Sequence, residues 1–428
     1  MKKTTRISAL TMAVIMGVGL CGCGTTEQKP QKTEYKTEET KKPKADATKK
    51  EKENFTQGVN DFSYELFDKL ARGKNMVVSP YSVSMALSMA DVGASGETKK
   101  ELEKVLGIKD LDSWNNSVRW YMGRDFGEQT KVLTANSLWL DHTVTLAENA
   151  EEDFLKILTE DYHADVEQRD LSTDEARDAV NQWAAEHTEN MIPKMYDRNI
   201  EAQLILMNAI YFEGKWETPF DKNDTYQQKF YSSNGTAKVD MMHQYDKVYA
   251  YAECGELHAI ELPYKDENVV MDIIMRKPAT CGTGRRTTLE YWNTLTKKDK
   301  EKLFETLSEG KGENFSEIAI PKFEMEWESS LVESLQQMGI TSMFGKDADF
   351  SKSFPNKSMD DVFQKAKIVV DETGTKAAAV TAVDIESCAL VEEEKKFIAD
   401  EPFLFVIRDA ENGTILFMGD MEKPECYR

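Results

Sequence analysis

The chain has 428 residues, of which 40% are hydrophobic and 30% charged, and its formal net charge is −22 at pH 7. This balance is typical of a soluble globular protein with a sizeable core. It argues against a nucleic-acid-binding protein, because contacts with phosphate groups need a basic surface. We therefore expect no nucleic acid among the partners and interpret the acidic surface as a source of solubility.

The first 22 residues have the pattern of an export signal. Lys2, Lys3 and Arg6 provide a basic start, and the apolar stretch 7–20 follows them. That stretch has the length of a signal-peptide core and is short for a helix that spans a bilayer. The pattern predicts a signal peptide over residues 1–22.

The signal ends in a cysteine motif. Residues 20–23 resemble the lipobox of bacterial lipoproteins, in which a cysteine is lipidated and becomes the new N-terminus. We assign that role to Cys23, with Cys21 as the second candidate and an ordinary secretory signal as the alternative. The resemblance implies a cell-surface lipoprotein held to a membrane by its lipid, or an extracellular protein.

Residues 23–53 separate this signal from the rest of the chain. They are rich in Lys, Glu and Thr and nearly free of large apolar side chains. Such a segment cannot bury enough apolar surface to offset the entropy of ordering its backbone. We predict a disordered tether, followed by one folded domain over residues 54–428.

Hydrophobic periodicity in this domain predicts helices and strands that do not alternate regularly, which indicates the α+β class. The predicted helices are Val59–Leu70, Val83–Met89, Glu151–Leu158, Thr173–His187 and Ser329–Met338. The predicted strands are Val132–Leu140, Ile205–Phe212, Ala259–Leu262, Val269–Met275 and Ile368–Val370. Ile205–Phe212 is largely apolar, as expected of a central strand that is covered on both faces.

The segment Gly374–Ile385 alternates between two kinds of residue. One set is small or apolar: Thr375, Ala377, Ala379, Thr381, Val383 and Ile385. The charges of the segment, on Lys376 and Asp384, lie on the other face. Period-2 alternation fits either an ordinary strand or a mobile segment shaped to enter a sheet later.

No catalytic constellation is visible. The five histidines lie outside any HExxH motif, and the chain has no GxSxG elbow, phosphate-binding loop or dinucleotide fingerprint. Cys254, Cys281, Cys388 and Cys426 show no metal-ligand spacing, and free thiols are favoured over a disulfide. We therefore expect neither an enzyme nor a bound metal or cofactor.

Several motifs resemble the serpin family in order and at family spacing, over roughly residues 54–428. They are Asn75–Ser84, Gly93–Thr98, Asn208–Trp216, Glu372–Ala382, Pro402–Ile407 and Gly413–Gly419. The resemblance implies a metastable serpin fold with three β-sheets, about eight to nine helices and an exposed reactive-centre loop at about residues 372–397. A serpin of the bacterial lipoprotein type is the overall expectation.

The resemblance also implies the function. An inhibitory serpin is attacked by a serine protease, forms a covalent acyl-enzyme, and inserts its cut loop into the main sheet before the acyl bond is hydrolysed. The partner is then a target serine protease, and the inhibitor is expected to be a monomer. The alternatives are a non-inhibitory surface binding protein on this scaffold, or an inhibitor of papain-like cysteine proteases.

Family register places the cleaved bond between Cys388 and Ala389, with the two neighbouring bonds, 387–388 and 389–390, as alternatives. A small uncharged residue before this bond fits the shallow pocket of elastase-like or subtilisin-like proteases. The thiol of Cys388 also allows redox control, because oxidation adds bulk and charge.

The remaining assignments concern the control of insertion. The resemblance implies hinge roles for Glu372, Gly374, Thr375, Ala377, Ala378 and Ala379. It implies sheet-opening roles for Ser82, Asn208, Trp216, Lys322 and Gln364. Lys322 is expected to pair with Glu372, and Gln364 stands where many serpins have histidine, so its hydrogen-bond network should differ.

Overall fold

The computed structural model of the chain describes residues 33–35, 47–278, 287–375 and 395–425. These residues form nine α-helices: α1 Lys49–Leu70, α2 Pro80–Gly93, α3 Gly96–Leu106, α4 Leu111–Met122, α5 Lys156–Asp161, α6 Asp174–His187, α7 Thr288–Trp292, α8 Lys297–Ser308 and α9 Val332–Met338. The first strands are β1 Thr33–Tyr35, β2 Met76–Val78, β3 Thr130–Asp141, β4 Ala164–Arg169, β5 Leu204–Lys215, β6 Thr225–Ser232, β7 Gly235–Cys254 and β8 Leu257–Pro263. The remaining strands are β9 Val269–Arg276, β10 Gly312–Pro321, β11 Phe323–Ser330, β12 Asp361–Asp371, β13 Gly374–Thr375, β14 Lys396–Ile398, β15 Phe403–Asp409 and β16 Ile415–Met421.

Order begins earlier than the predicted domain boundary at residue 54. Helix α1 starts at Lys49, because Thr48 and Glu51 form a capping box that satisfies backbone groups of the first turn. Within the predicted tether, β1 pairs antiparallel with β4 at the edge of a sheet. The structure therefore differs from a wholly disordered tether at residues 33–35 and 49–53, where local capping and edge pairing were not weighed.

Two predicted helices differ from the observed ones. The predicted helix Ser329–Met338 begins only at Val332, because Ser329 and Ser330 complete strand β11 and pair with β12. The predicted helix Glu151–Leu158 opens as a π-helical turn over Glu151–Leu155 and becomes α-helical at Lys156. Apolar spacing alone does not resolve such boundaries, because cross-strand pairing outweighs local preference.

The strands form two hydrogen-bonded sheets in the described part of the chain. The main sheet has seven strands in the order β1-β4-β3-β5-β13-β12-β11. The second sheet follows the order β14-β10-β7-β8-β9-β15-β16-β2, and β6 pairs with β7 beside this path. Three sheets were expected, but the 20-residue strand β7 runs continuously from its pairing with β6 and β10 to its pairing with β8, which joins two of them.

The main sheet is covered on both faces. On one face lies the large core, which contains helix α2, a helix that is buried all round as its apolar sequence predicts. On the other face, α6 packs against the sheet and closes a smaller core. Strand β5 alternates between them: Leu206 and Ile210 belong to the large core, and Met207 and Ala209 to the smaller one. This confirms the prediction of a central strand.

Among the described residues, no helix is both long enough and apolar enough to cross a membrane. Cys254 is a free, partly buried thiol. The other cysteines, including Cys23, Cys281, Cys388 and Cys426, lie outside the described residues.

Candidate functional site

The site is built around a tight turn that connects β12 to the short strand β13. Asp371 ends β12, and its carboxylate Oδ1 accepts hydrogen bonds from the backbone N–H and the hydroxyl of Thr373, at 2.8 and 2.6 Å. The same oxygen accepts a longer bond of 3.3 Å from the Gly374 N–H. An Asp side chain that bonds to the backbone two residues ahead fixes a turn. The chain therefore reverses at Glu372–Thr373 and runs back beside β12.

Strand β13 stands between β12 and β5. Gly374 pairs with Asp371 on one side and Lys215 on the other, and Thr375 pairs with Val370 and Gly214. The hinge predicted from the sequence is therefore already part of the main sheet over its first two residues.

Gly374 is required by this close approach. Its φ is +151°, and a Cβ built there would lie 2.1 Å from the carbonyl oxygen of Gly214. Side chains rarely adopt this backbone region, so only glycine enters the sheet here without strain.

Aromatic side chains hold the hinge from below. The hydroxyls of Thr375 and Tyr264 are hydrogen-bonded at 2.8 Å, and both residues are buried. The ring of Tyr264 stacks on Trp216, with the ring centroids 4.5 Å apart. Trp216 Nε1–H donates to the carbonyl of Asp371 at 2.9 Å, and its backbone N–H donates to the carbonyl of Thr373 at 3.0 Å. Trp216 therefore lies at the point where β13 enters the sheet.

An ion pair covers the turn. Lys322 Nζ lies 3.0 Å from the carboxylate of Glu372, which is only 6% exposed, and this confirms the predicted pair. Burial opposes ionisation of Glu372, but hydrogen bonds from its own backbone and from Lys322 outweigh it and hold the pKa of the carboxyl below its usual value. The pair therefore ties β12's turn to the residue that follows β10.

Below β13, strands β5 and β12 meet again at the opposite end of the sheet. They are parallel there, and Ile205 and Leu206 pair with Asp361 and Val362. The hinge therefore lies at one end of a strand position whose far end is closed by direct pairing of β5 with β12.

A buried polar cluster lies behind this position, where α2 begins. The Ser82 hydroxyl donates to Asn208 Oδ1, and Asn208 Nδ2–H donates to Asn136 Oδ1 at 2.5 Å. Gln364 accepts from the Ser79 N–H at 3.0 Å and donates to the Ser79 carbonyl at 2.9 Å. Gln364 on β12 and Asn208 on β5 are thus joined to neighbouring residues of one helix start.

The structure brings together the described residues that the sequence predicted as one site. Gly374, Thr375, Trp216, Lys322 and Glu372 form the hinge end, and Ser82, Asn208 and Gln364 form the polar cluster. Ala377, Ala378, Ala379, Cys388 and Ala389 lie outside the described residues, as does the lipidation candidate Cys23.

Four further residues of the site were not predicted. Asp371 and Tyr264 fix the turn and the hinge, and Ser79 and Asn136 complete the polar cluster. A signal existed for Asn136, which is an amide inside a strand with apolar flanks, and for Ser79, which precedes the proline of a helix start. Tyr264 gives no comparable signal, because its partner is 111 residues away in sequence.

Comparison with known proteins agrees with this arrangement. Residues 57–424 match the family model described as Serpin (serine protease inhibitor). An uncharacterized serpin-like protein of Thermococcus kodakarensis is 34% identical and covers 86% of this chain and 85% of its own length. Intracellular coagulation inhibitor 2 of Tachypleus tridentatus is 31% identical, covering 87% of this chain and 91% of its own. The crystal structure of the thermophilic serpin Tengpin in its native state superposes with a TM-score of 0.77 at 28% identity, covering 88% of this chain and 95% of that one.

Proposed function

The chain belongs to the serpin family, and from that premise we propose that it is a suicide-substrate inhibitor of serine endopeptidases. The observation that carries the proposal is the position of β13, which begins a new strand between β5 and β12. An inhibitor of this kind needs such a position, because loop insertion must outrun hydrolysis of the acyl-enzyme.

The register of β13 predicts where the following residues go after cleavage. Thr375 pairs with Gly214 and Val370, so each later residue takes a partner one position earlier in both neighbours. Residue 384 then reaches Ile205 and Asp361, and residue 383 reaches Leu206 and Val362. These four residues are the ones that now pair directly with each other. One uninterrupted strand therefore fits the whole position.

The same register predicts which face each residue occupies. Ala377 would lie between Phe212 and Ile368, and Ala379 between Ile210 and Ala366, all of which line the large core. The intervening residues, which include Lys376, would face the side of α6 and solvent. Small side chains thus meet the core, and no inserted charge is forced into it.

Insertion also has to pass the buried polar cluster. Thr381 would arrive between Asn208 and Gln364, the two strand residues that bond to the start of α2. Its hydroxyl can donate and accept there, so the cluster can exchange partners without leaving a polar group unpaired.

We place the cleaved bond at Cys388–Ala389, with an elastase-like or subtilisin-like protease as the partner. The small residue before the bond supports this choice, since a trypsin-like pocket requires Lys or Arg. The printed name of the arthropod relative, a coagulation inhibitor, is consistent with inhibition as the family activity. The inhibitor itself acts as a monomer that is consumed in one turnover.

Thermal unfolding after loop cleavage tests insertion. The chain is nicked with a catalytic amount of subtilisin, and the cut position is read by mass spectrometry. We predict a rise in Tm of more than about 10 °C, because an inserted strand adds backbone hydrogen bonds on both edges and buries apolar surface. A nicked chain with unchanged Tm would favour a non-inhibitory binding protein on this scaffold.

We also propose that the chain is exported and anchored through Cys23, on the strength of the signal pattern and the lipobox-like motif. The test is metabolic labelling with radioactive palmitate in a bacterial host. Cys23→Ala should lose the label, whereas the matched Cys21→Ala variant should keep it. Loss of label in Cys21→Ala alone would move the anchor, and no label in the wild type would favour a secreted form.

A further inference from the structure

A second surface feature lies in the sheet that receives the chain after the loop. Tyr226 on β6 and Tyr245 on β7 are 44% and 42% exposed, although large hydrophobic side chains are mostly covered in the described residues. The ring of His243 lies between them, parallel to Tyr226 with centroids 4.3 Å apart and 6.1 Å from Tyr245. We call Tyr226, His243 and Tyr245 the tyrosine patch.

The patch is rigid. His243 is 1% exposed, and its two ring nitrogens contact Glu317 and Gln228, each at 3.1 Å. The Tyr226 and Tyr245 hydroxyls are 3.3 Å apart. Exposed tyrosines that are already ordered lose little entropy on binding, which is why such residues act as anchors in protein interfaces.

The patch is continuous with the strand that follows the loop. Tyr245 pairs with Glu317 on β10, and Glu317 pairs with Lys396, the first residue of β14. Lys396 Nζ also lies 2.9 Å from the Glu317 carboxylate. The row thus runs from β6 through β7 and β10 to β14, a width of about 14 Å at the usual strand spacing.

We propose that the tyrosine patch is a secondary docking surface for the target protease, an inference that rests on the proposed inhibitory function. Cys388 lies eight residues before Lys396 in sequence, a reach of at most about 28 Å. A protease domain of ordinary size has a diameter of about 40 Å, so an enzyme seated on the cleaved bond extends over this row. The tyrosine rings offer apolar surface and π faces for an apolar or arginine-bearing rim beside the protease pocket.

The proposal makes a kinetic distinction. The patch touches the protease only in the encounter complex, because insertion later carries the enzyme to the far end of the main sheet. Loss of the patch should therefore slow association and leave the fate of the acyl-enzyme unchanged.

The test compares the double variant Tyr226→Ala/Tyr245→Ala with the wild-type chain. We expect the second-order rate of inhibition of an elastase-type protease to fall by about tenfold or more. The number of inhibitor molecules consumed per protease and the yield of SDS-resistant complex should stay the same. The Tyr226→Phe/Tyr245→Phe variant keeps the rings and should keep most of the rate.

Tyr231→Ala is the matched control, because Tyr231 is an exposed tyrosine of the same strand whose position in the pleat places it on the opposite face from Tyr226. An unchanged rate in the double alanine variant, with normal complex formation, would overturn the docking surface and leave the inhibitory function standing. A wild-type chain that elutes as a dimer and becomes monomeric in the double variant would assign the patch to a second copy instead. Absence of any covalent complex in the wild type would refute the proposed function itself.

Discussion

Thr375→Arg should convert the inhibitor into a substrate. Thr375 is 1% exposed, its side chain faces the large core, and its hydroxyl is bonded to Tyr264. Arginine cannot occupy this position without burying a charge that has no partner. In the intact chain the variant hinge should leave the sheet, where solvent hydrates the guanidinium.

The cost can be estimated from these contacts. An uncompensated buried charge costs about 3–5 kcal/mol, and the lost hydrogen bond adds about 1 kcal/mol. If about 3 kcal/mol of this appears in the barrier to insertion, insertion slows by a factor of more than 100. Hydrolysis of the acyl-enzyme then completes before the protease is displaced.

The assay is the partition between covalent complex and cleaved inhibitor on a denaturing gel, at several ratios of inhibitor to protease. Thr375→Val is the matched control, because it keeps the shape and lacks the charge, and it should retain the complex. Circular dichroism should show both intact variants folded. A Thr375→Arg variant that forms the complex at the wild-type ratio would refute the reasoning about insertion.

Three further predictions concern the control of the sheet, its charge balance and the cleaved bond. Lys322→Ala leaves the buried carboxylate of Glu372 unpaired and should promote polymerisation on heating, as measured by size-exclusion chromatography; Lys322→Arg should not, and an Ala variant that stays monomeric would count against a control role. Burial raises the pKa of Asp420 to about 7, so its folded-state pKa exceeds the unfolded value near 4, and its contribution to stability is complete below pH 4 and lost as the pH rises through 7. Asp420→Asn should therefore raise the free energy of unfolding by on the order of 2 kcal/mol at pH 8 and have little effect near pH 4, and an equal effect at both would reject this assignment. Mild peroxide should slow inhibition at least about tenfold if the Cys388 thiol enters a small protease pocket, with dithiothreitol restoring the rate and Cys388→Ser insensitive; equal inhibition before and after treatment would exclude redox control.

The sequence predicted the site well where local pattern and family spacing coincide. The strand Ile205–Phe212, the buried helix after Ser79 and the pair of Lys322 with Glu372 all lie where they were expected. In each case the signal is carried by neighbouring residues whose spacing survives in the folded chain.

The missed features depend on contacts between distant segments. Tyr264 reaches Thr375 only because β8 and β5 bring them together, and β7 joins two expected sheets because its pairing partners change along its length. The tyrosine patch likewise joins β6 to β7 through a hairpin whose facing residues alternation alone does not mark as exposed. Tertiary pairing decides these features, and single-sequence periodicity does not encode it.

Formation of a covalent complex tests the central claim most directly. Residues 24–428 are mixed with an elastase-type serine protease, and the products are separated on a denaturing gel and weighed by mass spectrometry. We predict a band that survives SDS at the combined mass less the fragment after Cys388. Cleaved inhibitor with no such band, against a panel that includes subtilisin and papain types, would contradict suicide inhibition.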